Sequence, residues 1–333
     1  MTVVGSIVYA TKSGLGNLAK LLFDSKIIDR VFVAQHKTYH NNLEWYPQHS
    51  RETNDIKKFL ESIDTLFLLE APLPDVFDWT VAQTAKYMGK KVVLMPMYES
   101  TPRANLFLMD EIICPSLLDL EYFSEFKPHF IPVPSSPDVP FRLRKEVRTF
   151  VHNVGHGGIF SRNGTVEILE ALPLIKSTDF KLIIRIQPDA GPELIGLVDS
   201  IEDSRVEVVK DHIPFEDLWA EGDVFLFPEK FNGLSLPLQE AYAAGMLVMA
   251  GNRYPIHTWL PHDPLIPVSG YFTTDLPWIG IKVKNAIFTA EAIANTIDKW
   301  VGKDIRLFSA GGESWAEYNA GYNLKHLYDE LLR

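Results

Sequence analysis

Residues 223–252 read DVFLFPEKFNGLSLPLQEAYAAGMLVMAGN. The run 223–228 is apolar and too short for a helix, and it closes at Pro228, which has no backbone donor. A polar, glycine-containing stretch follows, then the helical segment Leu236–Ala244, ended by Gly245. A second apolar run, 246–252, comes next. Strand, loop, helix and strand in this order, with strands apolar on both faces, form one unit of a buried parallel sheet.

The same unit repeats outward in both directions. Upstream, GSIVYA (5–10), VFVA (31–34), TLFLLE (65–70), KVVLMP (91–96) and EIICP (111–115) alternate with helical spacing. The alternation pauses at IPVPSSPDVP (131–140), where four prolines bias the chain toward extended forms. It restarts with TFVHNVG (149–155), KLIIRI (181–186) and VEVVKD (206–211). The expectation is an α/β protein of two Rossmann-like domains, residues 1–140 and 149–313, joined by a linker at 141–148. Ligands of such sheets bind at the carboxyl ends of the strands, here in a cleft between the domains. The basic run FRLRKEVR (141–148) reads as a solvated linker or helix face.

Composition agrees. A chain of 333 residues is too long for one typical core. A formal charge of −11 argues against a surface that attracts polyanions as a whole. No apolar run reaches the length of a membrane span, and the N-terminus reads as a strand rather than a leader. The single cysteine, Cys114, reads as core and allows no internal disulfide, which suits a reducing compartment and a cytoplasmic location. The ten histidines lack HExxH spacing and no Asp-x-Asp occurs, so no metal site and no cofactor is expected.

Three stretches fall at strand carboxyl ends. In TKSGLGNLAK (11–20), Gly14, Leu15 and Gly16 lead into a helix whose amides could meet an anion, and a tight strand–helix turn reads equally well. In GHGGIFSRNG (155–164), Arg162 and Asn163 stand at a helix start, where a guanidinium can hold a diphosphate. In the third, Glu240 lies near the start of the helix after strand 223–228, where it could accept two ribose hydroxyls or simply compensate the helix dipole.

Taken together, and above all through NGLSLPLQEAYAAGMLVMAGN, the chain resembles glycosyltransferase family 4 and its GT-B relatives, whose Glu-x7-Glu motif has the form EGFGLPLLEAMACG. HGGIFSRNGTVEILEAL resembles the family's arginine–lysine segment. SWAEYNAGYNLKHLYDELL (314–332) resembles the closing helix that packs back onto the first domain, here about 314–333. The resemblance implies a GT-B enzyme, two Rossmann-like domains facing each other across a cleft, with a nucleotide-sugar of the UDP or GDP class as donor. It implies retention of anomeric configuration and no metal.

By the same resemblance, Glu240 binds the ribose and Arg162 the diphosphate. Gly233, Leu234, Ser235 and Leu236 contact donor sugar and diphosphate, the loop containing Lys210 and His212 meets the base, and Gly14, Leu15 and Gly16 close over the phosphates. Two positions depart from the family pattern. The first motif glutamate is Asn232, eight residues before Glu240 (240 − 232 = 8), while Glu229 lies three residues out of register; the family lysine is Asn163. Asn232 is therefore expected to face the donor sugar without the charge that stabilises an oxocarbenium ion.

In the first half, Glu99 after strand 91–96 is expected to contact acceptor or donor sugar, or else to pair with Arg103. The acceptor is left open among glycans, small molecules and modified DNA bases, the last not indicated by the net charge. Two other classes compete: a nucleotide-sugar-binding protein with weak catalysis, motivated by Asn232 and Asn163, and a non-hydrolysing epimerase.

Overall fold

A computed structural model describes residues 2–8, 14–33, 53–70, 79–155, 162–188, 190–276 and 280–333. The chain divides into two compact units, one of residues up to Ser136 with Asn319–Arg333, the other of Pro137–Leu276 with Ile281–Tyr318.

The first unit runs β1 (Val4–Val8), α1 (Gly14–Asp24), β2 (Arg30–Val33), α2 (Thr53–Glu61), β3 (Thr65–Leu69), α3 (Thr80–Tyr87), β4 (Lys91–Met95), β5 (Glu111–Cys114), α4 (Leu117–Tyr122) and β6 (His129–Phe130). Its six strands form one sheet in the order β2-β1-β3-β4-β5-β6, parallel throughout. Every residue of β3 is buried, as a parallel strand covered on both faces requires. Cys114 is buried at the end of β5, a core residue as its sequence context suggested.

The second unit runs β7 (Thr149–Gly155), α5 (Thr165–Ala171), β8 (Lys181–Ile186), α6 (Pro192–Asp199), β9 (Val206–Val209), β10 (Val224–Phe227), α7 (Leu236–Ala243) and β11 (Leu247–Ala250). A hairpin, β12 (Gly270–Leu276) and β13 (Ile281–Ile287), precedes α8 (Ala290–Trp300) and α9 (Arg306–Tyr318). Its main sheet is again parallel, in the order β11-β10-β7-β8-β9. Each unit is thus a Rossmann-like parallel sheet with helices between its strands.

The last helix, α10 (Gly321–Leu332), belongs to the first unit, while α9 stays with the second. Tyr328 of α10 is fully buried, its ring 6.4 Å from that of Phe67 on β3, and its hydroxyl donates to the Pro132 carbonyl at 2.9 Å. The Thr65 hydroxyl donates to Leu332 O at 2.6 Å, and Arg333 pairs with Asp29 at 2.8 Å. The return to the first unit thus begins at Asn319, later than the expected position near 314, because Trp315 stacks on Trp259 and packs on Tyr242 of α7.

Residues 141–148, expected as a solvated linker, lie within the second unit. Arg144 is 1% exposed and donates to three carbonyls: Gly222 O at 2.8 Å, Arg142 O at 3.0 Å and Trp219 O at 2.6 Å. Its own amide donates to Ser309 Oγ at 2.9 Å. Basic residues look alike in sequence whether they face water or a ring of carbonyls, so the run's charge hid this role.

Replacing Arg144 by Leu would leave those carbonyls buried without a donor. We expect a loss of about 3 kcal/mol in unfolding free energy, read as a lower urea midpoint at unchanged slope. A midpoint equal to the parent's would return 141–148 to the status of a linker.

Candidate functional site

The strand order of the second unit fixes where a ligand site can form. From β7 the chain proceeds through β8 and β9 to one side, then returns to place β10 and β11 on the other. Loops leaving the carboxyl ends of β7 and β10 therefore diverge around a switch point. They also touch. Gly164, at φ +75°, lies so close to the second loop that a Cβ there would sit 2.4 Å from Pro228 O. The Lys230 amide donates to Arg162 O at 2.7 Å. Backbone pairing thus places Arg162 beside Glu229: Arg162 Nε stands 3.9 Å from Glu229 Oε1, and the guanidinium lies over the Phe231 ring at 5.5 Å. Residues 156–161 of the expected glycine loop lie outside the described residues.

Glu229 is the organising group. Its Oε1 accepts from Asn232 Nδ2 at 2.9 Å, and its Oε2 accepts from Arg253 Nη2 at 3.2 Å and from the Ser235 hydroxyl. Arg253 also donates from Nε to Glu229 O at 2.8 Å and from Nη1 to Asn232 O at 3.0 Å. All four residues are buried. An isolated carboxylate there would cost several kcal/mol, so carboxylate and guanidinium stand or fall together.

The network sets the backbone that follows. Asn232 Oδ1 accepts from the Ser235 amide at 3.1 Å, and Ser235 is held in the left-handed region at φ +45°, ψ 58°. Because its hydroxyl turns to Glu229, Ser235 does not cap α7 with its side chain. Among the described residues, the amides of Gly233, Leu234 and Leu236 meet no protein acceptor. Three donors at the positive end of a helix, next to Arg162, suit a phosphate oxygen.

Other expected residues fall into place differently. Asn232 was expected to face the sugar, yet its amide is engaged by Glu229 at one end and Ser235 at the other. Asn163 turns its Nδ2 to Val154 O at 2.8 Å, tying down the bulged end of β7 rather than presenting a donor to a ligand. Lys210, after β9, pairs with Asp199 of α6, and His212 is exposed in the same loop. Gly14, Leu15 and Gly16 form the first turn of α1, and residues 9–13 before them lie outside the described residues.

Glu240, on the second turn of α7, is partly buried. Burial pushes its carboxyl up to about 8, opposed by the approach of the Trp219 side chain. At neutral pH the unliganded group is therefore largely protonated.

In the first unit Glu99 follows β4 and belongs to a group of three carboxylates at the strand carboxyl ends, with Glu70 after β3 and Asp119 on α4. Asp119 is buried, accepts from the Tyr98 amide at 2.8 Å and is bonded by the Ser116 hydroxyl. Burial first, then the Glu99 and Glu70 charges, raise it to about 7. Arg103 pairs with Glu125 at 3.4 Å and covers the Tyr122 ring at 4.6 Å.

The sequence reading missed Arg253 and Asp119. An arginine just past the end of strand 246–252 was the available signal for the first. A Ser-x-x-Asp at a helix start was the signal for the second.

Among the described residues no group of three His, Cys, Asp or Glu could hold a metal, and no helix is long and apolar enough to cross a membrane. No family model matches the chain, and no curated protein matches it. Solved structures do. HepE of Anabaena in complex with UDP and glucose is 13% identical with a TM-score of 0.67, covering 100% of this chain and 99% of its own. A glycosyltransferase of Rickettsia africae is 14% identical with a TM-score of 0.65 over 100% and 99%. Sucrose-phosphate synthase of Thermosynechococcus elongatus is 14% identical with a TM-score of 0.55 over 100% and 95%.

Glu240 gives a stability test. A carboxyl whose folded pKa is raised binds its proton more tightly in the native state. Its contribution is full below the unfolded value near 4.5 and is lost as pH rises through about 8. The melting temperature of the unliganded protein should fall from pH 6 to pH 9, and Glu240→Gln should flatten that decline. Parallel curves for the two proteins would show that Glu240 does not titrate in this window.

These structures share with this chain the GT-B fold of glycosyltransferases, two Rossmann-like domains in one polypeptide.

Proposed function

We propose that the protein is a glycosyltransferase that moves a hexosyl or pentosyl group from a nucleotide-sugar of the UDP or GDP class to an acceptor, without a metal, in the cytoplasm and with retention of anomeric configuration. The observation that carries this reading is that, among the described residues, the amides of Gly233, Leu234 and Leu236 at the start of α7, beside Arg162, meet no protein acceptor. A diphosphate is the ligand those groups suit, since the guanidinium and amides neutralise the charge that grows on the leaving oxygen as the glycosidic bond breaks. HepE, which shares the fold, was solved with UDP and glucose.

In this reading Arg162 and the α7 amides hold the diphosphate and Glu240 accepts the ribose hydroxyls. The loop of Lys210 and His212 flanks the base, and the first turn of α1 closes over the phosphates. Glu99 serves the sugar-transfer step from the first unit, and the acceptor is a glycan, a small molecule or a modified DNA base.

A second reading, a nucleotide-sugar-binding protein with weak catalysis, is favoured by one observation: the Asn232 amide is tied to Glu229 and Ser235 and offers no charge to a developing oxocarbenium ion.

Nucleoside diphosphates should stabilise the protein far more than nucleosides, by about 2.7 kcal/mol at one hundred times Kd. Equal thermal shifts from UDP and uridine, and from GDP and guanosine, would remove the diphosphate site. Acceptor-dependent release of UDP or GDP that survives EDTA separates transferase from binder. Activity abolished by EDTA and restored by Mn²⁺ would overturn the metal-free reading.

Asn232→Ala should lower turnover about tenfold by releasing Glu229 and Ser235, with donor KM and kcat measured separately. Unchanged kinetics would mean that the network does not shape the site.

A further inference from the structure

His152 interrupts an otherwise apolar stretch of β7, between the buried residues Phe150, Val151 and Val154. It is fully buried, and both of its ring nitrogens are engaged. Nδ1 lies 2.9 Å from Leu226 O on β10, and Nε2 lies 2.8 Å from Thr165 Oγ1 at the start of α5. The ring stands where the two strands part, since the register of β7 with β10 ends at Val151 opposite Phe225.

The partners settle the tautomer. A carbonyl can only accept, so Nδ1 carries the proton and donates to Leu226 O. Burial lowers the imidazole to about 4, and the ring is neutral at pH 7. The lone pair on Nε2 therefore accepts from the Thr165 hydroxyl. Burying an imidazole is costly unless both nitrogens are satisfied, and here that requires α5 to sit where it does.

The contact completes a series along four successive residues. Arg162 O accepts from the Lys230 amide at 2.7 Å, and Asn163 Nδ2 donates to Val154 O at 2.8 Å. Gly164 is pressed against Pro228, and Thr165 is bonded to His152. The first three ties are made at strand ends and in the loop after β10. The fourth reaches into the sheet itself and fixes the helix. A shift of α5 along the sheet would carry Arg162, three residues before Thr165, away from the head of α7.

We infer that His152 is a positioning residue of the donor site: its ring, protonated at Nδ1, seats the start of α5 on β10 and so holds Arg162 beside the α7 amides for a nucleotide's diphosphate. The inference rests on the diphosphate reading proposed above.

Thr165→Val keeps the side-chain shape and removes the hydroxyl, leaving His152 Nε2 without a donor. Affinities of the full-length protein for UDP and for uridine, measured by calorimetry at pH 7, read the effect. Thr165→Val should weaken UDP up to about tenfold, the factor one lost hydrogen bond can supply, while uridine affinity stays at the parent's value. Thr165→Ser, which keeps the hydroxyl, should restore UDP binding. UDP affinity unchanged in Thr165→Val, or UDP and uridine weakened alike, overturns the inference and leaves the diphosphate reading standing. A parent that binds UDP no more tightly than uridine overturns the diphosphate reading, and the inference with it. If Thr165→Val does not fold, the His152 imidazole resonances of the ¹⁵N-labelled parent decide. A ring protonated at Nδ1 whose Nε2 resonance moves with UDP but not with uridine supports the inference. A ring protonated at Nε2, or resonances that UDP leaves in place, overturns it.

Discussion

The second unit is organised around a carboxylate removed from water. Glu229 follows directly on Pro228 at the end of β10 and is buried, a placement that costs several kcal/mol for an unpaired ion. Arg253 meets it from beyond β11, the adjacent strand, and also donates to the main-chain carbonyls of Glu229, Asn232 and Tyr254. Asn232 and Ser235 bond both to that carboxylate and to each other. Ser235 lies in the left-handed region, and among the described residues the amides of Gly233, Leu234 and Leu236 meet no protein acceptor. The conformation of the loop is thus coupled to the burial of one charge.

A second layer of constraint reaches the same place through the main chain. The approach of Gly164 to Pro228 forbids a side chain between the β7 and β10 loops, and Lys230 N–H to Arg162 O locks their register. Beneath α7, Arg144 and Arg185 are buried cations whose partners are mostly carbonyls; burial lowers Arg144 to about 10, still charged at neutral pH. Cations placed in this way act as rigid pins for irregular backbone, since several donors converge from one planar group. In the segment carrying Trp219, the carbonyls of Leu218 and Trp219 both accept from these arginines.

The first unit concentrates its polarity differently. Three carboxylates gather where β3, β4 and β5 end, and the most buried of them, Asp119, holds the turn that carries Glu99 by accepting the Tyr98 amide. The chain's last helix closes the opposite task, covering β3 with Tyr328 and the carbonyl of Leu332. A segment adjoining the second unit in sequence therefore completes the core of the first.

Sequence alone determined the layers. Ten short runs, each too short for a helix, predict strands, and each overlaps one in the structure, because a parallel strand buried on both faces is largely apolar. The paired sheets, the break near 131–140 and the helix ended by Gly245 were legible for similar local reasons. Hairpin β12–β13 went unread, and so did the terminal point of the linker, where one buried arginine outweighs a basic composition. The site was legible as an address, the loops after β7 and β10, but not as a set of contacts. Glu229 stands three residues out of register with the motif position, yet its carboxylate bonds to the Asn232 side chain there, because a loop folded back on itself makes spatial neighbours of residues that motif spacing keeps apart. Arg253 to Glu229 and Arg144 to Trp219 join residues more than twenty positions apart. Periodicity reports which face of an element is apolar; only the tertiary fold decides which buried polar atoms meet, because that depends on how strands are ordered and loops converge.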